Sequence, residues 1–600
     1  MKRRLVVFLM CVGAVIPAPV LADGAVKAAL SLVPADAVGF LCVPSVKQLD
    51  ADFVQATSKL GLGAMMPPPF NSPTAVVKQY LKFGNGFDES GPMVYVALSA
   101  NTLPEVSQKM ALIVAATDPK AFIESMGGEA LEDGLWRVNM MGQPAVAAVG
   151  EKRVILAQSP AGAKAIASSK SSITDKFNAA DLNTLEGLDL VLWVDGAGLI
   201  KLAKQQIDMI MGMAMMAQSA QGPSGAKQAE AMKKQVDTFV DGASSISFGL
   251  GLGDQGLTMR MGFRAKPGSE LAKNMKVRNT SDSLLRGLPS ENYLFALGQT
   301  VDPAVAKESM QYIEPYLSMV EGTEGVDKEQ VGKLRGQLSE WVTLTTAGRM
   351  VVTALPPGPD GVLGFAMVLD TENSGKWIDM CCGTLETVKK LPKADSPTID
   401  EELKQALSAL IIAKDAEELV GAKVQHVKFD LSKVEEVDEE DVEQLNKVLG
   451  RDGLVARAAA ANPQTVVITV GGGAKYMSGV LDQVKSKSAT LDGEAGIQKV
   501  AAVLPKERYM VGYVDVDRII ESVRDVMKVL EEDEEEFPVR MAKIDAPLAI
   551  VGSGGEDWSR MDIFFPNELM LATKDAVMAM TGPGGAPPPP SAPKAPSGGQ

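Results

Sequence analysis

Four stretches of this chain repeat one another, and that repetition constrains the fold more than any single motif. They are LVPADAVGFLCVPSVKQL at 32–49, LEGLDLVLWVDGAGLIKL at 185–202, GLPSENYLFALGQTVDPAVAK at 287–307 and VLPKERYMVGYVDVDRII at 503–520. Each opens on a turn, runs through a short apolar strand, breaks at small polar residues and enters a helical pattern. Beyond each, a helix, a short tip and a second helix lead back into strands. Two of these strand regions are SSISFGLGLGDQGLTMRMGFRAK at 244–266 and RMVVTALPPGPDGVLGFAMVLD at 349–370. A further pair, VILAQSPAGAKAIA at 154–167 and VVITVGGGAKYMSG at 466–479, shares a strand, a small-residue loop, Gly-Ala-Lys and a helix start. The pattern predicts an α+β tandem duplication with about four strand–helical-hairpin–strand units. Each half, 23–282 and 283–580, is built of antiparallel strands with helical hairpins.

The two ends of the chain read differently. Residues 1–22, MKRRLVVFLMCVGAVIPAPVLA, have the order of an export signal: a basic start at Lys2, Arg3 and Arg4, a short apolar run, and a small-residue cleavage site. Large residues before Cys11 exclude a lipidated cysteine. Residues 581–600 are Pro, Gly, Ala and Ser with little else, a composition that builds no core and predicts a disordered or extended tail. No later stretch offers 18 uncharged apolar residues, so no transmembrane segment is expected after cleavage and the chain is expected to be periplasmic or secreted. The formal charge is −16, and loss of three basic leader residues makes the rest more negative still. That disfavours nucleic acid as a partner. Beyond the leader only Cys42, Cys381 and Cys382 remain, too few for a disulfide framework. They are expected as buried thiols, with one bond from Cys42 to either of the others left open.

The opening LVPADAVGFLCVPSVKQL and its continuation ALIVAATDPKAFIESMG at 111–127 resemble an uncharacterised family of exported bacterial proteins, a domain of unknown function. The likeness covers mainly the first half. It implies export and an α+β fold, and it brings no catalytic motif.

The residues that tempt as catalytic groups have structural readings. Asp118 before Pro119, Asp302 before Pro303, and Asp370 in VLDTENSG are expected as helix N-caps. Asp515 and Asp517 would share one face of a strand, where they could help hold a cation, but they also fit a helix start. The acidic run at 434–444 lacks the central Gly of a calcium loop. His426 is the only histidine and is read as a strand-surface residue, so a serine triad or histidine-rich zinc site cannot be built. The glycine loop at 470–479 lacks Gly-Lys-Ser/Thr and is read as a turn. No cofactor is expected.

What stands out is methionine. MIMGMAMM at 209–216 lies near the tip of the second unit's first helix, with Met209, Met213 and Met216 on one face and Met211 and Met215 on another. The first unit's tip, LGLGAMMPPPF at 60–70, carries Met65, Met66 and Phe70. The other tips, VEGTEG at 320–325 and EEDEEEF at 531–537, are polar or acidic. Apolar tips in one half only admit three readings: ordinary packing, copper(I) held by thioethers, or a contact surface for a protein or a membrane. A helix scatters those sulfurs over two faces, which weakens the copper reading. The contact surface makes the chain an exported, envelope-associated binding or scaffold protein without enzymatic activity. The alternative is a hydrolase-like extracytoplasmic enzyme whose site has no motif. The leader carries its own test: the mature protein is expected to begin at Asp23, and intact mass from the native host checks it, an uncut Met1 being the contrary result.

Overall fold

The computed structural model describes residues 24–581 apart from 64, 101, 141, 220–222, 394–400, 435–436, 487–490 and 531–540. The expected leader (1–22), the tail beyond 581 and the acidic tip 531–537 therefore lie outside the described residues. The first half supplies β1 (Ala37–Val43), β2 (Met93–Leu98), β3 (Met110–Ala115), β4 (Glu129–Ala130), β5 (Leu135–Met140), β6 (Gln143–Val149), β7 (Arg153–Ala157), β8 (Leu190–Asp195), β9 (Ala243–Gly253) and β10 (Gly256–Ala265). The second supplies β11 (Tyr293–Thr300), β12 (Thr345–Ala354), β13 (Leu363–Thr371), β14 (Leu410–Leu419), β15 (Ala422–Phe429), β16 (Val455–Asn462), β17 (Thr465–Val470), β18 (Met510–Val514), β19 (Leu548–Gly554) and β20 (Trp558–Pro566).

All twenty strands form one antiparallel sheet. In space the first half runs β4-β5-β6-β7-β3-β2-β1-β8-β9-β10. The second half runs β14-β15-β16-β17-β13-β12-β11-β18-β19-β20, the same path one repeat later. The fold is thus an α+β duplication. Its halves meet where β10 pairs antiparallel with β20, which relates them by an approximate two-fold. Few open sheets exceed about ten strands; this one does so by joining two sheets edge to edge.

Helical hairpins leave three of the strands, and a single helix among the described residues leaves a fourth. Val46–Lys59 (α1) and Pro73–Leu81 (α2) join β1 to β2; Gly196–Ser219 (α3) and Pro223–Gly242 (α4) join β8 to β9. Pro303–Gly322 (α5) and Lys328–Trp341 (α6) join β11 to β12; Val516–Val529 (α7) follows β18. Their starts follow cap chemistry: Ser45, Asp302, Asp327 and Asp515 each accept a backbone N–H of the first turn. Asp118 does the same for Pro119–Ser125, through the N–H groups of Lys120 and Ala121. Asp370 departs from expectation. Asn373 caps the helix Ser374–Lys389, while Asp370 pairs with Arg349 at 3.0 Å, because it still lies inside β13 and its side chain shares Arg349's side of the sheet.

One face of the sheet is packed along its length. In the first half Phe40, Cys42, Val96 and Ile113 pack under Leu30, Ala163 and Ile166; in the second Val351, Val368, Val511 and Tyr513 pack under Met477, Leu481 and Ile497. The other face is covered over the outer strands by Phe122 and Ile123 in one half and by Trp377, Ile378 and Cys382 in the other, and at one end of the central strands by Leu569 and Ala572 of the helix Asn567–Thr581, which pack with Leu548 and Phe565. Cys42 and the Cys381–Cys382 pair lie in different cores, and all three thiols are free. The sheet ends at the two-residue β4 and at β14, an edge strand carrying Lys414, Asp415, Glu417 and Glu418, charges that discourage a further strand from adding.

At the join, paired positions run from Gly256 with Pro566 to Arg264 with Trp558, and the middle one sets Arg260 against Asp562. Arg260 Nε donates to Asp562 Oδ1 at 2.7 Å, and its Nη1 donates to the carbonyls of Thr184 and Glu186. Arg560 Nε donates to the same carboxylate at 2.9 Å, and Asp562 is 2 % exposed. Removing one member of a buried charge cluster leaves the others unpaired, which costs about 3–5 kcal/mol. Asp562→Ala is therefore expected to lose stability on that scale in urea unfolding, and a loss below about 1 kcal/mol would show that the join does not depend on this cluster.

Candidate ligand-binding face

The strands in the middle of the sheet are sorted in reverse. Register partners share a face, and one row runs Leu41, Leu192, Phe248, Met261, Met561 across the join. It continues through Gly552 to Met510. A second row on the same face runs Leu190, Leu250, Met259, Ile563, Ile550. None of these large side chains is buried; Leu192 is 41 %, Ile246 39 % and Met261 46 % exposed. Every charged residue of β8–β12 and β18–β20 — Asp195, Arg260, Arg264, Arg349, Arg560 and Asp562 — alternates onto the opposite, packed face. There Arg264 pairs with Asp181 and Asp557, and Arg349 with Asp370. Glycines let the covering segment approach that packed side: a Cβ at Gly249 would collide with Leu188, and one at Gly251 with the Gly187 carbonyl.

The result is an apolar floor without a charged side chain. From β1 to β18 it crosses seven strands, about 30 Å at the usual strand spacing. The hairpins rise on the same side. Leu49 of α1 packs into the cluster that includes Leu190, Val516 of α7 into the one with Leu548 and Phe565, and Phe239 of α4 stacks on Phe263 at 5.6 Å. Because neighbouring strands are antiparallel, the arms after β1 and β18 spring from one end of the strands and those after β8 and β11 from the other.

The sequence-predicted methionines sit on these arms. Met65 is 55 % and Phe70 39 % exposed, and Met66 is half-buried. Met209, Met213 and Met216 are 58 %, 53 % and 70 % exposed, with Met211 and Met215 half-buried. The two Met-bearing arms spring from opposite strand ends, so they do not form one patch. Each strand end instead joins one apolar-tipped arm of the first half with one arm of the second, whose tip sequences are polar or acidic. The floor itself escaped the sequence reading. Its signal was present in the alternation of Ile246, Phe248 and Leu250 and of Met259, Met261 and Phe263, but alternation does not say which side is covered.

The other expected groups are held apart from the floor. His426 Nε2 lies 2.7 Å from Glu417 Oε1, which also accepts from Arg457 Nε, so the histidine is a paired strand residue rather than a bare surface one. The loop Gly471–Gly473 has positive φ at all three glycines and opens the helix Gly473–Ser486. Asp515 caps α7, and Asp517 accepts from the Ile544 N–H; burial, then the hydrogen bond between these two carboxyls, pushes Asp515 up. A cleft between α4 and the helix Glu270–Met275 is lined by Lys233, Lys234, Asp237 and Asp241. All four are exposed to water, which screens them.

One acidic pair stands at the end of the floor. Asp52 of α1 is 4 % exposed, accepts from Gln48 Nε2 and shares a hydrogen bond with Asp189 at the entry to β8. Burial raises Asp52 to about 6, against the lowering effect of Gln48 and Asp189, with Asp254 adding to the rise. Burial and then the Asp52 charge raise Asp189 to about 7, while the Leu252 N–H that it accepts acts in the opposite direction. The pair can hold one proton between two oxygens.

No protein-family model matches the chain, and no curated protein matches it. Among solved structures, crystal form IV of TP0453 matches at 8 % identity and a TM-score of 0.22, over 49 % of this chain and 97 % of that one. Crystal form III of the same protein gives 8 % and 0.20, over 50 % and 99 %. Likeness at these scores carries no argument.

The carboxyl pair generates a pH dependence. Unfolded carboxylates titrate near 4, about two to three units below this pair. The folded state therefore holds the extra proton between those values. The stability it contributes is complete below about pH 4 and is lost as pH rises through 6 to 7. Asp189→Asn supplies an N–H to Asp52 without the second charge. It is expected to raise the thermal midpoint at pH 8 and leave it nearly unchanged at pH 4; a fall at pH 8 contradicts the shared-proton account.

Proposed function

We propose that this chain is an exported, non-enzymatic binding protein of the cell envelope. Its ligand surface is the apolar floor between the helical arms, and the exposed methionines of α3 and of the 60–70 tip extend that surface. One observation carries the reading: the central strands turn their charges into the packed face and set a continuous row of Leu, Met, Ile and Phe side chains, none of them buried, on the other. Burying charges costs free energy unless they are paired, and exposed contiguous apolar surface of this extent in a soluble chain marks an interaction site. A catalytic role would instead place unscreened titratable groups in an enclosed site. The acidic pair Asp52–Asp189 lies at the floor's margin, with Gln48 and Asp254 as its polar neighbours.

The reading is tested with a dye whose fluorescence rises in apolar surroundings. The parent is expected to bind it, and Met261→Glu is expected to suppress the signal while changing stability by no more than about 0.5 kcal/mol, the usual range for an exposed position. Equal fluorescence from parent and variant counts against the floor as the binding surface.

A further inference from the structure

We infer that the occupant of the floor is the hydrocarbon of a single zwitterionic diacyl lipid, laid across the strands with its headgroup in water. The inference rests on the reading that the floor binds at all, and names what it binds. Three features narrow the choice.

The first is the backbone. Each strand from β1 to β18 across the join is paired on both sides, so within those registers the backbone N–H and C=O groups under the floor are taken up by neighbouring strands. A peptide laid on it could not add as a strand, and its own backbone groups would be desolvated without partners. An acyl chain has no such groups to satisfy.

The second is shape. A second copy of this sheet could bury the floor only by a flat approach, and the arms rise on that side at both strand ends. A slender, flexible chain needs no such approach. The floor is also lined by side chains that adapt: Met259, Met261, Met510 and Met561 are unbranched and polarizable, and re-pack around chains of differing length at little cost.

The third is charge. The floor carries none, which excludes a ligand that needs a counter-ion along its length. The chain as a whole is at −16, so anionic headgroups are repelled and a zwitterionic one is not.

Full-length protein is mixed with phosphatidylcholine vesicles containing a trace of phosphatidylcholine with a pyrene-labelled acyl chain, and the protein is recovered free of vesicles by gel filtration. Pyrene is expected to travel with protein of monomer mass. Met261→Glu and, independently, Leu192→Glu are expected to carry at least tenfold less, while Val149→Glu, an exposed change on β6 away from the floor, carries as much as the parent. Circular dichroism of both floor variants shows whether they are folded. Lipid-free parent that still binds the apolar dye and has twice the monomer mass by light scattering makes a second copy the occupant; the lipid inference falls and the binding floor stands. Protein that floats with the vesicles but extracts no pyrene assigns the floor to a bilayer surface and also overturns the inference. Equal transfer from phosphatidylglycerol vesicles removes the zwitterionic selectivity. A parent that takes up neither dye nor lipid overturns both this inference and the function proposed above.

Discussion

The pairing of β10 with β20 is the contact on which the architecture depends. Without it the chain is two separate sheets, each with an open edge at its tenth strand; with it those edges close on each other and the sheet runs unbroken from β4 to β14. A strand meeting its own repeat near a two-fold sets like residues against like. Two arginines or two aspartates there would repel, whereas Arg260 and Asp562 attract, and Arg560 shares the load on the carboxylate. The duplicated halves have diverged at the place where identity would be most costly.

Much of the fold can be read from the repeats. The four strand-and-helix openings and the matched strand-to-helix junctions before Pro160 and Gly473 fall where the spacing puts them, because turn chemistry and helix caps are local and sequence-encoded. Asp118 and Asp302 cap helices as their Asp-Pro pairs imply. Asp370 does not, since the deciding factor is where β13 ends, and that is set by pairing with β12 and β17 rather than by the residues themselves.

The floor was much less legible. Reading alternation assumes that the apolar side faces the core. In β10 the residues on the packed side include Arg260 and Arg264, which is possible only because partners distant in sequence, Asp181, Asp557 and Asp562, satisfy the arginines. Such partners are invisible until the chain is folded. The clustered methionines, legible in the sequence, lie on the arms. The methionines that line the floor, Met259, Met261, Met510 and Met561, are spread over three strands and form no cluster in the sequence.

Fusion of the two halves has a further consequence for the arms. A symmetric homodimer of one half would present identical surroundings at either end of its floor, so whatever lay there would have no preferred orientation. In the single chain each strand end brings together an arm of the first half and an arm of the second, and the two ends draw on different units: the first and fourth at one, the second and third at the other. The floor thereby acquires a head and a tail. Covalent duplication turns a two-fold surface into a vectorial one, on which entry and exit need not be the same event.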